Sequence, residues 1–287
     1  MILMKAGKYV ILVCSLLAVL AVKIAYQVPE EPVEVAIKKD YKIINKWEMP
    51  SDLLEISGVA WLSKDEIACV QDEDGFIFIY NLKTEKIVEH IQFGESGDYE
   101  AIAVNGKDAY VLRSDGTIFE VSRFRESELK TTYFKSVFGA KNNMESLTMD
   151  SNNNRLVTIT KDRDPYSDDY KGLYQIPLAT KKTDIKPILK INMMDGALED
   201  YQQKKSYRNF YPSDVAVHPI SGDYYILEGR SPRLIIMDKT GTIKKLIELD
   251  NKDFPQPEGI TFAPDATMYI ATEGIKEPGA IIEVQLD

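Results

Sequence analysis

The stretch that decides the fold runs from Gln256 to Glu273 and reads QPEGITFAPDATMYIATE. It combines a turn, a short strand opened by a glutamate, a tight hairpin, and a second strand that ends in another carboxylate. Similar openings occur at four earlier places, and the five openings start at Ser57, Glu100, Glu145, Ser213 and Glu258. The steps between them are 43, 45, 68 and 45 residues. A repeat of about 45 residues built of short strands is typical of the blades of a β-propeller.

The openings predict an all-β protein folded as a five-bladed β-propeller. The step of 68 residues contains a polar loop over residues 162–170 and an excursion over residues 193–211, with possible helix over 196–205. A degenerate sixth blade hidden in this step is the alternative. The last repeat offers only three strands, whereas a strand-like segment over residues 41–49 precedes the first repeat. We therefore expect that N-terminal strand to complete the last blade, because closing the ring removes an exposed edge.

Composition narrows the classes of function. The chain has 287 residues, 44% of them hydrophobic, and its net charge of −10 argues against nucleic acid or an anionic membrane surface as a partner. Its two cysteines, Cys14 and Cys69, predict no disulfide framework, and its two histidines, His90 and His218, leave little scope for a zinc site. The sequence contains no nucleophile elbow and no phosphate-binding loop. These features favour a binding function over an enzymatic one without deciding between them.

The N-terminal segment predicts export. Two lysines precede an uncharged, largely apolar run over residues 9–22, and a third lysine follows it. This pattern indicates a signal peptide or, if the span continues to residue 26, a short uncleaved membrane anchor. We interpret residues 1–26 as signal anchor or signal peptide, 27–40 as a charged linker, and 41–287 as the propeller domain. We therefore expect the domain in the cell envelope, anchored in the inner membrane and facing the periplasm or exterior, or secreted after cleavage.

Acidic residues recur at one mouth of the predicted channel. The innermost strand of a blade begins, and its second strand ends, at the same mouth. Carboxylates gathered there repel one another unless they are protonated or a cation neutralises them. An oxygen-only set of ligands suits Ca²⁺. The candidate metal ligands are Glu100, Glu145, Glu258, Asp214, Glu228, Glu273 and Asp72. The alternative is that these acids cap turns or pair with Arg113, Lys161 and Arg230.

Several short motifs occur in order along the chain. They are ISGVA at 56–60, GDYEAIA at 97–103, MESL at 144–147, PEGIT at 257–261 and YIATE at 269–273. Each is also shared with NHL-type propellers, but together they resemble the SdiA-regulated family of bacterial exported proteins, which includes a calcium-regulated β-propeller. The resemblance covers about residues 47–287.

This resemblance implies a five-bladed propeller with a calcium site and no established catalytic activity. By motif it assigns Glu100, Glu145 and Glu258 to the acidic openings of that family, and Ser213-Asp214 is a looser match. The chain departs from the pattern at Arg113-Ser114-Asp115, where an acidic stretch is more usual.

Three functions are consistent with the sequence. The first is a calcium-binding, membrane-anchored propeller that acts as a sensor or scaffold for an unknown protein or small-molecule partner. The second is a calcium-dependent, lactonase-like hydrolase in which a carboxylate such as Glu228, Glu273 or Asp214 serves as base. The third is a purely structural propeller whose acids only cap turns.

Overall fold

A computed structural model describes residues 39–274 and 277–287, and this part of the chain is almost entirely β. In chain order the strands are β1 (Tyr41–Glu48), β2 (Ile56–Ser63), β3 (Glu66–Gln71), β4 (Phe76–Asn81), β5 (Lys86–Gln92), β6 (Tyr99–Asn105), β7 (Asp108–Arg113), β8 (Thr117–Ser122), β9 (Lys130–Lys135), β10 (Thr148–Asp150), β11 (Arg155–Ile159), β12 (Tyr170–Pro177), β13 (Leu189–Asn192), β14 (Pro212–Val217), β15 (Tyr224–Glu228), β16 (Arg233–Met237), β17 (Ile243–Glu248), β18 (Pro257–Phe262), β19 (Met268–Thr272) and β20 (Ala280–Leu286).

These strands form five antiparallel sheets of four strands each, arranged as a five-bladed β-propeller. Blade one contains β2–β5, blade two β6–β9, blade three β10–β13 and blade four β14–β17, while blade five has the order β1-β20-β19-β18. The prediction of five blades is confirmed. The six-bladed alternative is wrong, since the described residues of the long step form no further sheet.

The N-terminal strand closes the ring, as the sequence predicted. β1 pairs antiparallel with β20 from Tyr41 opposite Leu286 to Glu48 opposite Ala280. The ladder is reinforced by packing, because the ring of Trp47 lies 6.2 Å from that of Tyr269 on β19. The first and last strands of the domain therefore share one sheet, and the edge of β20 is covered.

The hydrophobic core is divided into five clusters, each between two adjacent blades. The cluster between blades five and one, for example, contains Phe78 and Tyr80 from β4 together with Tyr269 from β19. Side chains alternate across a strand, so a blade that is covered on both faces presents apolar residues to both neighbours. This explains why the inner strands read as nearly continuous apolar runs rather than as alternating ones.

The long step within and after blade three is irregular. The excursion contains two short 3-10 helices, Gly196–Tyr201 and Ser206–Arg208, instead of one helix over 196–205. The first of them is capped by Asp195, whose carboxylate accepts the backbone N–H of Ala197 at 2.9 Å. Leu198 is buried in the cluster between blades three and four and ties the excursion to the propeller.

The targeting segment predicted over residues 1–26 lies outside the described residues, as does the linker up to residue 38. Within the described part of the chain, no helix has the length and apolar character needed to cross a bilayer.

Candidate functional site

A repeated β-bulge marks the start of every innermost strand. In four blades the pairing of the first two strands shifts by one residue, and the extra residues are Ser57, Glu100, Ser213 and Glu258. In blade three, residues 145–147 lie opposite residues 158–159, so one residue is extra there too. A bulge bends its strand and re-aims a side chain. Each of the five openings seen in the sequence therefore contains the same β-bulge.

The two serine openings join adjacent blades. The Oγ of Ser57 donates to the carbonyl of Tyr99 at 2.7 Å, and the Oγ of Ser213 donates to the carbonyl of Pro257 at 2.8 Å. Both hydroxyls are buried. In each case the accepting carbonyl belongs to the residue just before the glutamate that opens the next blade. The serines thus fix the backbone that carries Glu100 and Glu258.

Five ionisable residues form what we call the acidic mouth: Glu100, Glu145, Lys161, Glu258 and Glu273. Lys161 lies at its centre, in an ion pair with Oε2 of Glu145 and with its Nζ 3.9 Å from Oε2 of Glu258. The second oxygen of Glu145 accepts Nδ2 of Asn143 at 2.7 Å. One ammonium group therefore faces several carboxyl groups.

The pKa of Glu100 is the most perturbed of this group. Burial is the largest of the causes that raise this pKa from 4.5 to about 10, the neighbouring carboxylates of Glu145 and Asp98 act in the same direction, and Lys161 opposes them. A carboxyl group with such a pKa holds its proton at pH 7. Glu100 is thus uncharged at pH 7, and an additional cation beside it would lower its pKa and cause it to release its proton.

The other three glutamates titrate near neutrality. Burial raises the pKa of Glu145 to about 7 against the opposing effect of Lys161. Burial raises the pKa of Glu258 to about 7 as well, with Lys161 opposing and Glu145 adding to the shift. For Glu273 the causes of a pKa of about 7 are burial and then the charges of Glu258 and Asp72. The single lysine does not compensate all of these carboxylates.

Lys161 is held in place by a second lysine. The fully buried Lys171 on β12 donates from Nζ to the carbonyl oxygen of Lys161 at 2.6 Å and also to that of Asp162. Burial lowers the pKa of Lys171 to about 8. In addition, the backbone N–H of Lys161 donates to the carbonyl of Asn143 at 3.1 Å. The backbone that follows β11 is therefore fixed from two sides.

Asp214 has a different role from the glutamates. It is buried, and its Oδ2 accepts the backbone N–H of Ile260 at 2.8 Å, while its Oδ1 accepts that of Leu147 at 3.4 Å. These residues belong to blades five and three, on either side of its own blade. Burial raises the pKa of Asp214 well above its ordinary value. The carboxyl group thus connects three blades through their backbones.

Glu228 and Asp72 lie apart from Lys161. Glu228 is paired with Arg233 and accepts the backbone N–H of Tyr211 at 3.1 Å, and burial raises its pKa to about 7. For Asp72, burial and the nearby charge of Glu55 raise the pKa to about 6. Its Oδ1 is buried and has no hydrogen-bond partner in the described part of the chain.

The structure therefore brings Glu100, Glu145, Glu258 and Glu273 together and uses Asp214 and Glu228 in other contacts. Arg113, considered in the sequence as a partner for these acids, instead pairs with Asp115 of its own turn at 2.9 Å. Across residues 39–274 and 277–287, no three His, Cys, Asp or Glu side chains are close enough together to hold a metal ion. The alternative that these acids pair with Lys161 is confirmed for Glu145 and lies within reach for Glu258, but the sequence did not indicate which of the acids the lysine meets.

The fold and the acidic mouth define a class: a five-bladed propeller with buried, partly compensated carboxyl groups at one end of its channel. The family model for SdiA-regulated proteins matches residues 36–277, and the chain belongs to the SdiA-regulated family. No curated protein sequence is significantly similar to it.

Solved structures show likeness in fold. Glutaminyl cyclase from Myxococcus xanthus has a TM-score of 0.58 at 16% identity, with 86% of this chain and 96% of that chain covered. Virginiamycin B lyase from Staphylococcus aureus has a TM-score of 0.46 at 11% identity, with 80% and 67% covered. At 16% identity the likeness to the glutaminyl cyclase concerns the fold alone.

Proposed function

We propose that this protein is a cation-binding propeller whose acidic mouth takes up Ca²⁺. The observation that carries the proposal is the imbalance of charge there, where one buried and three half-buried glutamates face one lysine and Glu100 keeps its proton up to about pH 10. A bound cation would lower these pKa values and offset the cost of burying the carboxylates.

The donor set fits a hard ion, because it consists of carboxylate oxygens without sulfur or imidazole. Glu100, Glu145 and Glu258 would hold the ion after their side chains move closer together, because no three acids of the described residues lie within metal-binding distance as the structure stands. Glu273 and Asp72 would add negative charge beside it. Lys161 now neutralises part of the mouth, so uptake of Ca²⁺ requires its ammonium group to withdraw from Glu145 and Glu258. This exchange of one cation for another makes the end of β11 the part of the protein that responds to calcium.

The biological role that we propose is that of a sensor or protein-binding scaffold in the cell envelope. The apolar run over residues 9–22 with its flanking lysines supports this role, because it indicates export and anchoring. The repeated β-bulges support it as well, since Glu100 and Glu258 are the extra residues of two of them. A partner would bind at the loops around that mouth, since loops on a rigid scaffold commonly carry recognition.

Thermal unfolding tests the calcium proposal. Protein treated with a chelator is titrated with Ca²⁺ and separately with Mg²⁺, beside the double variant Glu100→Gln/Glu258→Gln. We expect Ca²⁺, and not Mg²⁺, to raise Tm. At a Ca²⁺ concentration one hundred times Kd, the free energy of unfolding should increase by about 2.7 kcal/mol. The double variant should lose that rise.

The matched control is Glu128→Gln, which makes the same change of charge at an exposed turn between β8 and β9, at the opposite end of the blade. It should retain the full response to calcium. A flat response of the wild-type protein to Ca²⁺, or an equal response in the double variant, would overturn the proposal.

The alternative function is a calcium-dependent, lactonase-like hydrolase. The observation that favours it is that Glu145, Glu258 and Glu273 have pKa values of about 7, where a carboxyl group can both accept and donate a proton. Calcium bound there would polarise a substrate carbonyl. A panel of lactones and phosphoesters, assayed with and without Ca²⁺, separates the two functions. Turnover that is abolished in Glu258→Gln would support the enzyme, and no turnover would support the binding protein.

A further inference from the structure

A polar cavity lies between blade four and the excursion over residues 193–211. Its volume is about 320 Å³, within the range of small-molecule sites. Three arginines, Arg208, Arg230 and Arg233, line it together with Tyr201 and Tyr211. Such a concentration of arginine stands out in a protein with a net charge of −10.

Arg233 forms the inner wall of this cavity. It is 5% exposed, and its guanidinium is paired with Glu228 and donates from Nη2 to the carbonyl of Asn209 at 2.9 Å. The guanidinium lies over the ring of Tyr201, 4.1 Å from its centroid. Its Nη1 is buried and has no hydrogen-bond partner in the described part of the chain. A buried donor without a partner is costly and indicates that an acceptor belongs there.

The charges of the cavity favour an anion. Both oxygens of Glu228 are already occupied, one by Arg233 and the other by the backbone N–H of Tyr211. The pair of Arg233 with Glu228 is therefore neutral, and the remaining charged groups of the lining are Arg208, Arg230 and Asp200. Arg230 lies 5.1 Å from the ring centroid of Tyr211, and no ion pair with an acid is found for Arg208 or Arg230 among the described residues. The lining thus has one positive charge in excess.

We propose that this cavity binds a small molecule through an oxyanion group, a carboxylate or a phosphate. Arg208 and Arg230 bind the charged oxygens, the inner guanidinium of Arg233 closes the site, and Tyr201 and Tyr211 pack against the body of the ligand. Arginine suits this role because its planar group donates two parallel hydrogen bonds to such oxyanions. The lining shares no residue with the acidic mouth, but the two are neighbours, since Gly229 between Glu228 and Arg230 lies against the carboxyl group of Glu258.

Isothermal titration of the full-length protein tests this site, with inorganic phosphate and succinate as probes at low ionic strength. The variants are Arg230→Gln and Arg208→Gln, because both side chains are exposed and their removal leaves the buried pair of Arg233 and Glu228 intact. We expect saturable binding of at least one probe. Each variant should raise the Kd of that probe by about tenfold, because it loses one charge-assisted hydrogen bond.

Arg123→Gln is the control, since it removes an exposed arginine from the turn after β8 in blade two. It should bind the probe as the wild-type protein does. Binding of phosphate alone would assign a phosphate ester, and binding of succinate alone a carboxylate. The absence of saturable binding of both probes would overturn the proposal, as would an unchanged affinity in both Arg230→Gln and Arg208→Gln.

Discussion

At the scale of single residues, the carboxyl groups of one mouth differ because their surroundings differ. Glu100 is buried beside other acids and keeps its proton, whereas Glu145 shares the charge of Lys161 and titrates near pH 7. Asp214 accepts backbone N–H groups from two neighbouring blades, and burial raises its pKa well above the ordinary value. Similar residues at similar places in the repeat thus serve proton binding, ion pairing and backbone connection.

The first prediction concerns the effect of pH on stability. Below pH 4.5 the carboxyl group of Glu100 is protonated in the folded and in the unfolded protein. Above pH 4.5 it ionises in the unfolded protein, whereas in the folded protein it keeps its proton up to about pH 10. The native state then binds more protons, so the free energy of unfolding falls as pH rises. Glu145, Glu258 and Glu273 have pKa values of about 7, so the loss of stability that they cause is complete near that pH. Between pH 7 and 9 the acidic mouth therefore changes the free energy of unfolding mainly through Glu100.

We therefore expect Glu100→Gln, without added cation, to gain stability relative to the wild-type protein as pH rises from 7 to 9, by up to about 1.4 kcal/mol per pH unit. Urea unfolding at several pH values measures this difference. Comparing the two proteins cancels other groups, such as Lys171, whose lowered pKa of about 8 acts in the opposite sense above that pH. A constant difference between pH 7 and 9 would contradict the raised pKa of Glu100.

The second prediction concerns Asp214. The change Asp214→Ala leaves the buried N–H groups of Leu147 and Ile260 without their acceptor. We expect a loss of about 2–4 kcal/mol in the free energy of unfolding, since each unpaired buried group costs about 1–3 kcal/mol. Asp265→Ala, which removes the acceptor of one N–H in an exposed hairpin, is the control and should change stability much less. Equal effects of the two changes would show that Asp214 does not connect the blades.

At the scale of elements, the bulged innermost strand is the unit that builds the mouth. The bulge recurs at the second residue of β2, β6, β14 and β18, and the residue after it approaches the next blade closely where it is glycine. A Cβ at Gly58 would lie 2.7 Å from the Cα of Ala101 and 3.0 Å from the backbone nitrogen of Ile102. Blades one and two can therefore approach this closely only because residue 58 has no side chain.

The third prediction follows from that contact. Because Gly58→Ala forces the backbone of blade two to move, we expect it to lower the free energy of unfolding by about 1–3 kcal/mol. Gly139→Ala is the matched control, as a Cβ at that position meets no atom within 4 Å. Urea denaturation of both variants checks this. If Gly58→Ala were as stable as Gly139→Ala, the close approach of the two blades would not constrain this position.

At the scale of the whole molecule, a propeller depends on closing its ring. β1 supplies the outermost strand of blade five, and Tyr41 at its start packs its ring 5.2 Å from that of Phe254, which precedes β18. The same tyrosine donates its hydroxyl to Asp253 at 2.8 Å. The first strand of the domain is thus held by backbone pairing with β20 and by side-chain contacts with the segment before β18.

The fourth prediction tests this closure. A protein that starts at residue 50 lacks β1, so the edge of β20 from Ala280 to Leu286 becomes unpaired. We expect it to unfold at lower temperature and to aggregate, because an unpaired strand edge recruits other chains. The control starts at residue 39 and keeps β1. Light scattering and thermal unfolding compare the two, and equal stability would show that blade five needs only three strands.

Several features could be predicted from the sequence because they are periodic or local. The spacing of the openings identified the blades, the missing strand of the last repeat identified the closure by residues 41–49, and the position of Glu100, Glu145 and Glu258 in the repeat placed them at one mouth. Side-chain pairing could not be predicted in this way, because it joins residues far apart in the chain whose distances depend on how the blades pack. Four features are of this kind: the choice of Glu145 as the partner of Lys161, the backbone contacts of Asp214, the pair of Glu228 with Arg233, and the arginine-lined cavity. Repeat spacing and the number of strands in each repeat determined the fold, whereas only tertiary packing decided which carboxyl groups remain without a full counter-charge.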